Sequence, residues 1–431
     1  MSRRRAVDGR RAHRSSARRG PRAALLALLV LGVACSARNP VPNGGAGDRD
    51  AYVVLLSFDG FKHDYLDRGI TPSFDRLAEA GVRADALVPV FPTKTFPNHY
   101  SIVTGMYVAS HGIVSNGFYD PERGEEYRLG DRASVEDGTW YGGEPLWVTA
   151  ERQGMVSASM FWVGSEAAIQ GIRPTYWHLY DARVANGDRV RQILEWLALP
   201  PGERPHMITG YFSLLDDAGH RYGPESAEVH AGIVEADSLL GLLMRGIDAL
   251  PHGDAVSIVV TSDHGMAEVG RGFIDLDAEI SLEGVRVLVG NPVANLYFDG
   301  DSPRADRVRE MLSRLANIRV FRRSELPERW HADHPRSGDL IVIADEGWSL
   351  GLDPERGQWS GGTHGYPPLP SMHGIFVAAG PRIRAGMRIP PFENIHVYPL
   401  VTELLGLVPK GDIDGRLEVL APVLMGVGAA R

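Results

Sequence analysis

Three aspartates along the chain stand where long apolar runs end. They are Asp59 after residues 51–58, Asp216 after residues 207–215, and Asp263 after residues 255–262. Uninterrupted apolar runs are typical of strands that are buried on both faces of a parallel sheet. Because such sheets bind ligands at the carboxyl ends of their strands, we expect the three carboxylates to converge on one edge.

Three histidines accompany the aspartates. His264 directly follows Asp263, and His364 lies between near-glycines at 362–365. His220 lies four residues after Asp216, across an expected strand end and turn where Gly219 would let the chain bend sharply. Taken singly, each of these patterns is more often a turn or an ion pair than a site.

Together the six side chains predict a metal centre. Three carboxylates and three imidazoles are enough ligands for two zinc ions with open positions for a substrate. Magnesium and calcium prefer all-oxygen sites, so the imidazoles favour zinc. His373, which also precedes a glycine, is the weaker alternative to His364.

A threonine offers a nucleophile. Thr95 and Pro97 predict the start of a helix, where backbone N–H groups and the helix dipole favour an anion. A hydroxyl at such a position becomes nucleophilic when a cation lowers its pKa. Unaided, the same pattern is simply a helix N-cap.

Composition limits the possible ligands and partners. Cys35 is the only cysteine, so the chain beyond it has neither a disulfide nor a thiolate metal site. The formal net charge is −9, although the first 35 residues contain nine arginines and one acidic residue. The remainder is therefore strongly acidic, which argues against tight binding of nucleic acid.

The first 35 residues resemble an export signal. An arginine-rich stretch precedes the apolar run 23–34, which is too short to span a bilayer but suits the core of a signal peptide. Cys35 directly follows this run, as at a bacterial lipoprotein cleavage site. We therefore expect a periplasmic protein or a membrane-anchored lipoprotein, with plain cleavage or an uncleaved anchor as alternatives. Residues 36–50 are rich in glycine, proline and charge and predict a flexible linker.

The rest of the chain alternates strand and helix patterns. Residues 71–81 predict a capped amphipathic helix and residues 226–250 a longer one. This alternation predicts an α/β fold with a doubly wound, mostly parallel central sheet flanked by helices.

At this point the motifs resemble a known family, the nucleotide pyrophosphatase/phosphodiesterases of the alkaline phosphatase superfamily. The matching segments, in family order, are 57–60, 91–100, 105–107, 110–116, 161–165, 216–220, 262–265 and 362–365. The resemblance implies an alkaline-phosphatase-like core in a catalytic domain at 51–425, with a small inserted α/β subdomain around 266–360. With the export segment, it implies a secreted bacterial member.

The resemblance also implies residue roles. Thr95 would be the nucleophile and a zinc ligand. One zinc would be held by Asp216, His220 and His364, and the other by Asp59, Asp263, His264 and the Thr95 oxygen. The substrate-binding residues would be Asn116 on a phosphoryl oxygen, Phe96 and Tyr180 on a nucleobase, Tyr211 in the phosphate pocket, and Trp162 and Lys94.

The implied activity is hydrolysis of phosphodiester and pyrophosphate bonds of nucleotides through a covalent phosphothreonine, which releases nucleoside 5′-monophosphates. Two alternatives remain open. The same site could act on a lipid or choline phosphodiester, or the protein could be a surface lipoprotein that binds phosphoryl groups without turnover.

Overall fold

The computed structural model describes residues 50–278 and 280–426. The predicted export signal at 1–35 and nearly all of the predicted linker at 36–50 lie outside the described residues, so they stay predictions. Within the described part, no helix is both long enough and apolar enough to cross a membrane.

The apolar runs form strands and the segments between them form helices. The strands, in chain order, are β1 Tyr52–Phe58, β2 Val82–Ala84, β3 Leu87–Val88, β4 Gly117–Asp120, β5 Glu125–Arg128, β6 Ser157–Met160, β7 Tyr176–Trp177, β8 Met207–Phe212, β9 Val256–Thr261, β10 Ala267–Glu268, β11 Gly272–Asp275, β12 Arg286–Val289, β13 Val293–Tyr297, β14 Ile318–Arg322, β15 Leu340–Ala344, β16 Trp348–Gly351, β17 Gly362–Thr363, β18 Phe376–Ala379, β19 Met387–Ile389 and β20 Phe392–Glu393. The α-helices are α1 Pro72–Ala80, α2 Thr95–Thr104, α3 Val108–His111, α4 Arg132–Glu136, α5 Leu146–Arg152, α6 Asn186–Leu197, α7 Leu214–Tyr222, α8 Ala227–Asp248, α9 Ser302–Leu312 and α10 Val397–Leu404.

The central sheet has eight strands in the order β19-β2-β18-β9-β1-β8-β6-β7. Strand β1 pairs in parallel with both β8 and β9, and only β18 runs against the other seven. The predicted mixed α/β fold with a mostly parallel central sheet is therefore confirmed.

Strand β1 explains how the sheet is covered on both faces. Val53 and Leu55 pack into the core with helices α2, α5 and α10. The alternate residues Val54 and Leu56 pack into a second core with α1, α6 and α8. Because successive side chains of a strand point to opposite faces, a run that is apolar throughout requires these two layers.

Both predicted helices are present. Helix α1 begins with a proline in its first turn, and Ser226 caps α8 by accepting a hydrogen bond from the backbone N–H of Val229.

Between β9 and β18 the chain builds a smaller sheet of four antiparallel strands in the order β12-β13-β15-β14. Helix α9 packs on it, and Leu296, Leu312 and Leu340 lie in their shared core.

One local prediction is wrong. Strand β8 ends at Phe212, and Asp216 and His220 lie on helix α7 instead of at a strand end and turn. The apolar run continues past the strand because Leu215, in the first turn of the helix, is buried in the same core. Gly219 lies inside the helix, where a Cβ would come within 2.9 Å of the Met266 side chain.

Candidate active site

Adjacent central strands deliver the first two carboxylates. Ser57 of β1 lies opposite Thr261 of β9, so Asp59 and Asp263 leave the sheet side by side. The backbone N–H of Gly60 donates to Oδ1 of Asp263 at 3.2 Å. The predicted convergence at the carboxyl edge of the sheet is thus confirmed for this pair.

Helix α7 supplies the third carboxylate. The backbone N–H of Asp216 donates to the carbonyl oxygen of Asp59 at 3.1 Å, which ties the start of the helix to the end of β1. His220 lies one turn further along, and its Nε2 is 3.4 Å from Oδ1 of Asp216. A spacing of four residues places both side chains on one face of the helix.

His364 completes a first ligand group with Asp216 and His220. Its Nε2 lies 3.1 Å from Nε2 of His220 and 3.5 Å from Oδ1 of Asp216. His373, the weaker candidate, lies elsewhere, with its ring 5.9 Å from that of His63.

Asp59, Asp263 and His264 form a second group directly beside the first. Nε2 of His264 is 3.0 Å from Oδ2 of Asp263 and 3.4 Å from Oδ1 of Asp59. The Thr95 hydroxyl, at the first residue of α2, is 3.4 Å from the same nitrogen. The rings of His264 and His364 stack at 3.5 Å, which joins the two groups.

Hydrogen bonding shows that these side chains suit cations. Nδ1 of His220, His264 and His364 faces the carbonyl oxygens of Gly362, Gly265 and Thr93 at 2.8–2.9 Å, and a carbonyl can only accept. Each Nδ1 therefore carries the proton, and each Nε2 presents a lone pair to the cluster.

The carboxylates point to the same conclusion. Oδ1 of Asp59, Oδ1 of Asp216 and Oδ2 of Asp263 are buried and accept no hydrogen bond from any described residue. Ligand atoms of Asp216, His220 and His364 lie within 4.8 Å of one another, as do those of Asp59, Asp216 and His264. Buried unpartnered oxygens beside imidazole lone pairs fit a pair of divalent cations, with zinc favoured by the nitrogen donors.

The electrostatics of the metal-free cluster are unfavourable. Burial, with the neighbouring carboxylates, raises the pKa of Asp59 well above its usual value, and burial also raises the pKa of Asp216. Burial lowers the pKa of His364. For Asp263, burial is outweighed by His264 and His99, which hold its pKa well below the ordinary value.

A cleft of about 230 Å³ opens beside the cluster. It is lined by Asp59, Asp216 and six of the residues predicted from the sequence to act in chemistry or substrate binding: Thr95, Phe96, Asn116, Trp162, Tyr180 and Tyr211. Phe96 is half-buried, whereas the Tyr180 side chain is exposed.

The polar residues of the cleft have defined partners. Oδ1 of Asn116 accepts from the backbone N–H of Phe96 at 2.9 Å, so the NH₂ side of its amide remains as a donor. The Tyr211 hydroxyl donates to Oδ2 of Asp59 at 2.7 Å. The Trp162 indole is almost fully buried and donates to the carbonyl oxygen of His99 at 3.1 Å.

Lys94 lies outside this cleft. Its side chain is buried, and Nζ donates to the carbonyl oxygen of Asn291 at 2.6 Å. Burial lowers the pKa of Lys94 to about 7.

Three residues without a predicted role also belong to the site. Arg132 and Glu166 line the cleft and form an ion pair, and Oε1 of Glu166 accepts from the backbone N–H of Tyr180 at 2.9 Å. His99 lies one helical turn after Thr95 and contacts Asp263. Its spacing of four from Thr95 was the available signal, whereas nothing local in the sequence pointed to Arg132 or Glu166.

Comparison with known proteins gives consistent matches. The sequence model of the family described as type I phosphodiesterase/nucleotide pyrophosphatase matches residues 53–367. An uncharacterized pyrophosphatase/phosphodiesterase of Schizosaccharomyces pombe is 36% identical and aligns over 88% of this chain and 82% of its own length. Human ectonucleotide pyrophosphatase/phosphodiesterase family member 1 is also 36% identical, over 85% of this chain but 41% of its own length.

One solved structure is similar in fold to this chain over the whole of its own length. An inactive threonine-to-alanine variant of murine ectonucleotide pyrophosphatase/phosphodiesterase 5, in complex with AMP, superimposes with a TM-score of 0.82. It is 31% identical to this chain, and the match covers 87% of this chain and 100% of the murine one. These relatives are eukaryotic, so the predicted bacterial origin stays a prediction.

Proposed function

Because the chain belongs to the type I phosphodiesterase/nucleotide pyrophosphatase family, we propose that it hydrolyses nucleotide phosphodiester and pyrophosphate bonds with two zinc ions and Thr95 as nucleophile. The observation that carries the proposal is the position of Thr95. Its hydroxyl stands at the N-terminus of α2, borders the Asp/His cluster at 3.4 Å from His264, and faces the cleft.

The ligands divide into two sets. Asp216, His220 and His364 would hold one zinc, and Asp59, Asp263, His264 and the Thr95 oxygen the other. Zinc at these positions supplies charge that lowers the pKa of the threonine hydroxyl and neutralises the phosphate oxygens.

The residues then carry out two displacements. Thr95 Oγ1 gives up its proton to solvent and attacks phosphorus, so that a P–O bond forms while the bond to the leaving group breaks and the leaving group takes a proton from solvent. Water next attacks phosphorus on the side opposite Thr95, the bond between phosphorus and Oγ1 breaks, the monophosphate is released, and a proton of the water restores the Thr95 hydroxyl. The N-terminus of α2 and the amide NH₂ of Asn116 stabilise the negative phosphoryl oxygens throughout.

The cleft supports a nucleotide as the retained group. Phe96 and Tyr180 border the same space, and aromatic faces of this kind stack on nucleobases. The murine neighbour binds AMP, which is the type of product expected here, a nucleoside 5′-monophosphate. A lipid or choline phosphodiester remains the alternative substrate.

A comparison of three substrates tests this proposal. Purified, zinc-loaded protein would be assayed with a nucleotide diester, a lysophospholipid and a phosphomonoester. We expect the highest kcat/KM for the nucleotide diester and release of the 5′-monophosphate. Faster hydrolysis of the lysophospholipid would favour the lipid reading, and no turnover of any substrate would favour a phosphoryl-binding protein.

We also propose export and attachment to a membrane through a lipid on Cys35, from the signal-like segment 1–35 alone. Cys35→Ser should move the protein from the membrane fraction to the soluble one. Equal membrane retention of the variant would point to an uncleaved anchor.

A further inference from the structure

His99 is a fully buried side chain beside the proposed nucleophile and a proposed metal ligand. It lies on α2, and its Nδ1 is 2.9 Å from the carbonyl oxygen of Thr95 and 3.3 Å from Oδ2 of Asp263. On the other side of the ring, Nε2 is 2.9 Å from the hydroxyl oxygen of Ser57.

These neighbours determine which ring nitrogen carries the proton. A carbonyl oxygen only accepts, so Nδ1 bears hydrogen and donates to the Thr95 carbonyl, with Oδ2 of Asp263 lying 3.3 Å from the same nitrogen. Nε2 then accepts from the Ser57 hydroxyl. With its Nδ1 lone pair used by a proton, His99 is not a metal ligand at that atom, although it lies within ligand distance of Asp59 and Asp263.

We propose that His99 is a positioning residue: its Nδ1–H is hydrogen-bonded to the Thr95 carbonyl, and the close contact of the same N–H with Oδ2 of Asp263 keeps that carboxylate in a fixed relation to the Thr95 main chain. The inference rests on the proposed function, since it assumes that Asp263 binds zinc and Thr95 reacts. Beyond the proposed function, it assigns to His99 the orientation of both Asp263, as a zinc ligand, and Thr95, as the nucleophile.

The hydrogen bonds of Asp263 show why this matters. Its Oδ1 accepts from the backbone N–H of Gly60. Its Oδ2 lies 3.0 Å from His264, but the proton of that ring is on Nδ1, which faces the Gly265 carbonyl. Among the described residues, the N–H of His99 therefore lies beside Oδ2, at 3.3 Å between nitrogen and oxygen, and losing this electrostatic contact would allow the carboxylate to rotate.

The His99 ring itself is held firmly. It packs edge-on against the rings of Trp162 and Tyr211, with centroid distances of 5.1 and 5.2 Å. Tyr211 in turn donates to Asp59. Tyr211 thus contacts the carboxylate that follows β1, His99 contacts the one that follows β9, and the two rings pack against each other.

Two substitutions separate the roles of the ring nitrogens. In His99→Asn, the amide NH₂ can occupy the position of Nδ1 and keep the donor, whereas in His99→Gln the amide reaches toward the position of Nε2. Outer hydrogen-bond partners of metal ligands typically contribute about 10–100-fold in metal affinity. We expect zinc affinity within about threefold of wild type for His99→Asn and a loss of about 10–100-fold for His99→Gln, with kcat falling in parallel.

His111 is a matched control. It is equally buried near α2, and its Nε2 lies 2.9 Å from the hydroxyl of Ser101, just as His99 bonds Ser57. It has no contact with the Asp/His cluster in the described structure. His111→Gln should lower thermal stability much as His99→Gln does, but it should leave zinc affinity, measured by competition with a chelator, unchanged.

Three results would overturn the inference: equal zinc affinities of the two His99 variants, an equal loss of zinc in His111→Gln, or no loss in His99→Gln. A wild-type protein that binds no zinc would instead refute the proposed function.

A measurement on wild-type protein covers the case in which the variants fail to fold. Long-range ¹H–¹⁵N spectra of zinc-loaded protein report the tautomer of His99, which is assigned through its contacts with the Trp162 ring. We expect the proton on Nδ1, and a proton on Nε2 or a metal-bound nitrogen would contradict the inference.

Discussion

At the scale of the residue, Thr95 combines three influences. The start of α2 provides a positive dipole end, the Asp/His cluster provides side chains that could hold a metal ion, and Thr95 borders an open cleft. A threonine hydroxyl keeps its proton at neutral pH. It becomes a nucleophile there when nearby positive charge lowers its pKa and a substrate can reach it.

The first prediction concerns this hydroxyl. Thr95→Ala should lower kcat by roughly a thousandfold or more, because the covalent step is lost, while zinc content stays near that of wild type. Thr95→Ser should keep partial activity. Thr104→Ala, at the other end of α2, serves as control, because the Thr104 hydroxyl donates to the Tyr100 carbonyl and bonds no other group in the part of the chain that the structure describes. Normal turnover by Thr95→Ala would contradict the covalent mechanism.

The second prediction concerns the aromatic residues of the cleft. Stacking on a nucleobase contributes about 1–3 kcal/mol, which is roughly five- to 150-fold in kcat/KM. Phe96→Ala and Tyr180→Ala should each lower kcat/KM by that range for a nucleotide diester and barely affect a bis-aryl phosphate. Equal losses on both substrates would mean that the two rings only support the fold. Phe96 has such a structural contact, since its ring centroid lies 6.2 Å from that of Tyr127.

At the scale of the element, the turn after β1 sets the position of α7. Gly60 has a positive φ of 71°, and a Cβ there would lie 3.0 Å from Cα of Asp216. The helix therefore starts as close to the strand as a glycine permits, and this proximity brings Asp216 and His220 to the carboxylates of β1 and β9.

The third prediction tests this contact. Gly60→Ala should lower stability by roughly 1–2 kcal/mol through the left-handed backbone alone, and it should also weaken zinc binding by displacing Asp216. Gly69→Ala is the control, since Gly69 has a φ of 70° but, apart from its chain neighbours, no described residue has an atom within 4 Å of its Cβ position. Denaturant unfolding and zinc titration of both variants measure the two effects. Equal zinc affinities would show that α7 does not depend on this turn.

At the scale of the whole molecule, the cluster joins distant parts of the chain. His364 is oriented by Thr93, and His220 by Gly362, across 271 and 142 residues of sequence respectively. Zinc bound at this junction would therefore stabilise the folded domain as well as catalyse. The stabilisation is about 2.7 kcal/mol when free zinc is at 100 times its Kd.

The fourth prediction is that this stabilisation depends on pH. Because the pKa values of Asp59 and Asp216 are raised in the metal-free fold, these carboxylates retain protons above about pH 4. Zinc must displace those protons, and metal-free protein loses stability as pH rises and the carboxylates ionise. The increase in Tm on adding zinc should thus be larger at about pH 7.5 than at about pH 5. An equal increase in Tm at both pH values would contradict this prediction. Removal of zinc by a chelator at pH 7.5 should also abolish activity.

The sequence by itself determined the features that depend on local pattern. Apolar runs without polar alternation identified β1 and β9, because such runs suit strands that are buried on both faces, and the aspartates that follow them marked the edge of the sheet where the Asp/His cluster lies. The Thr95-x-Pro97 pattern placed the start of α2 correctly. The absence of cysteine beyond Cys35 limited any metal ligands to oxygen and nitrogen.

Only the tertiary structure decided the features that depend on contacts between distant segments. The apolar run before Asp216 could not show where β8 gives way to α7, because the first turn of the helix is buried in the same core as the strand. The local sequence pattern predicts neither the tautomers of the cluster histidines nor the position of His99 between Thr95 and Asp263. Each follows from a hydrogen-bond partner that folding brings from elsewhere, and buried polar atoms must find such partners or bind an ion.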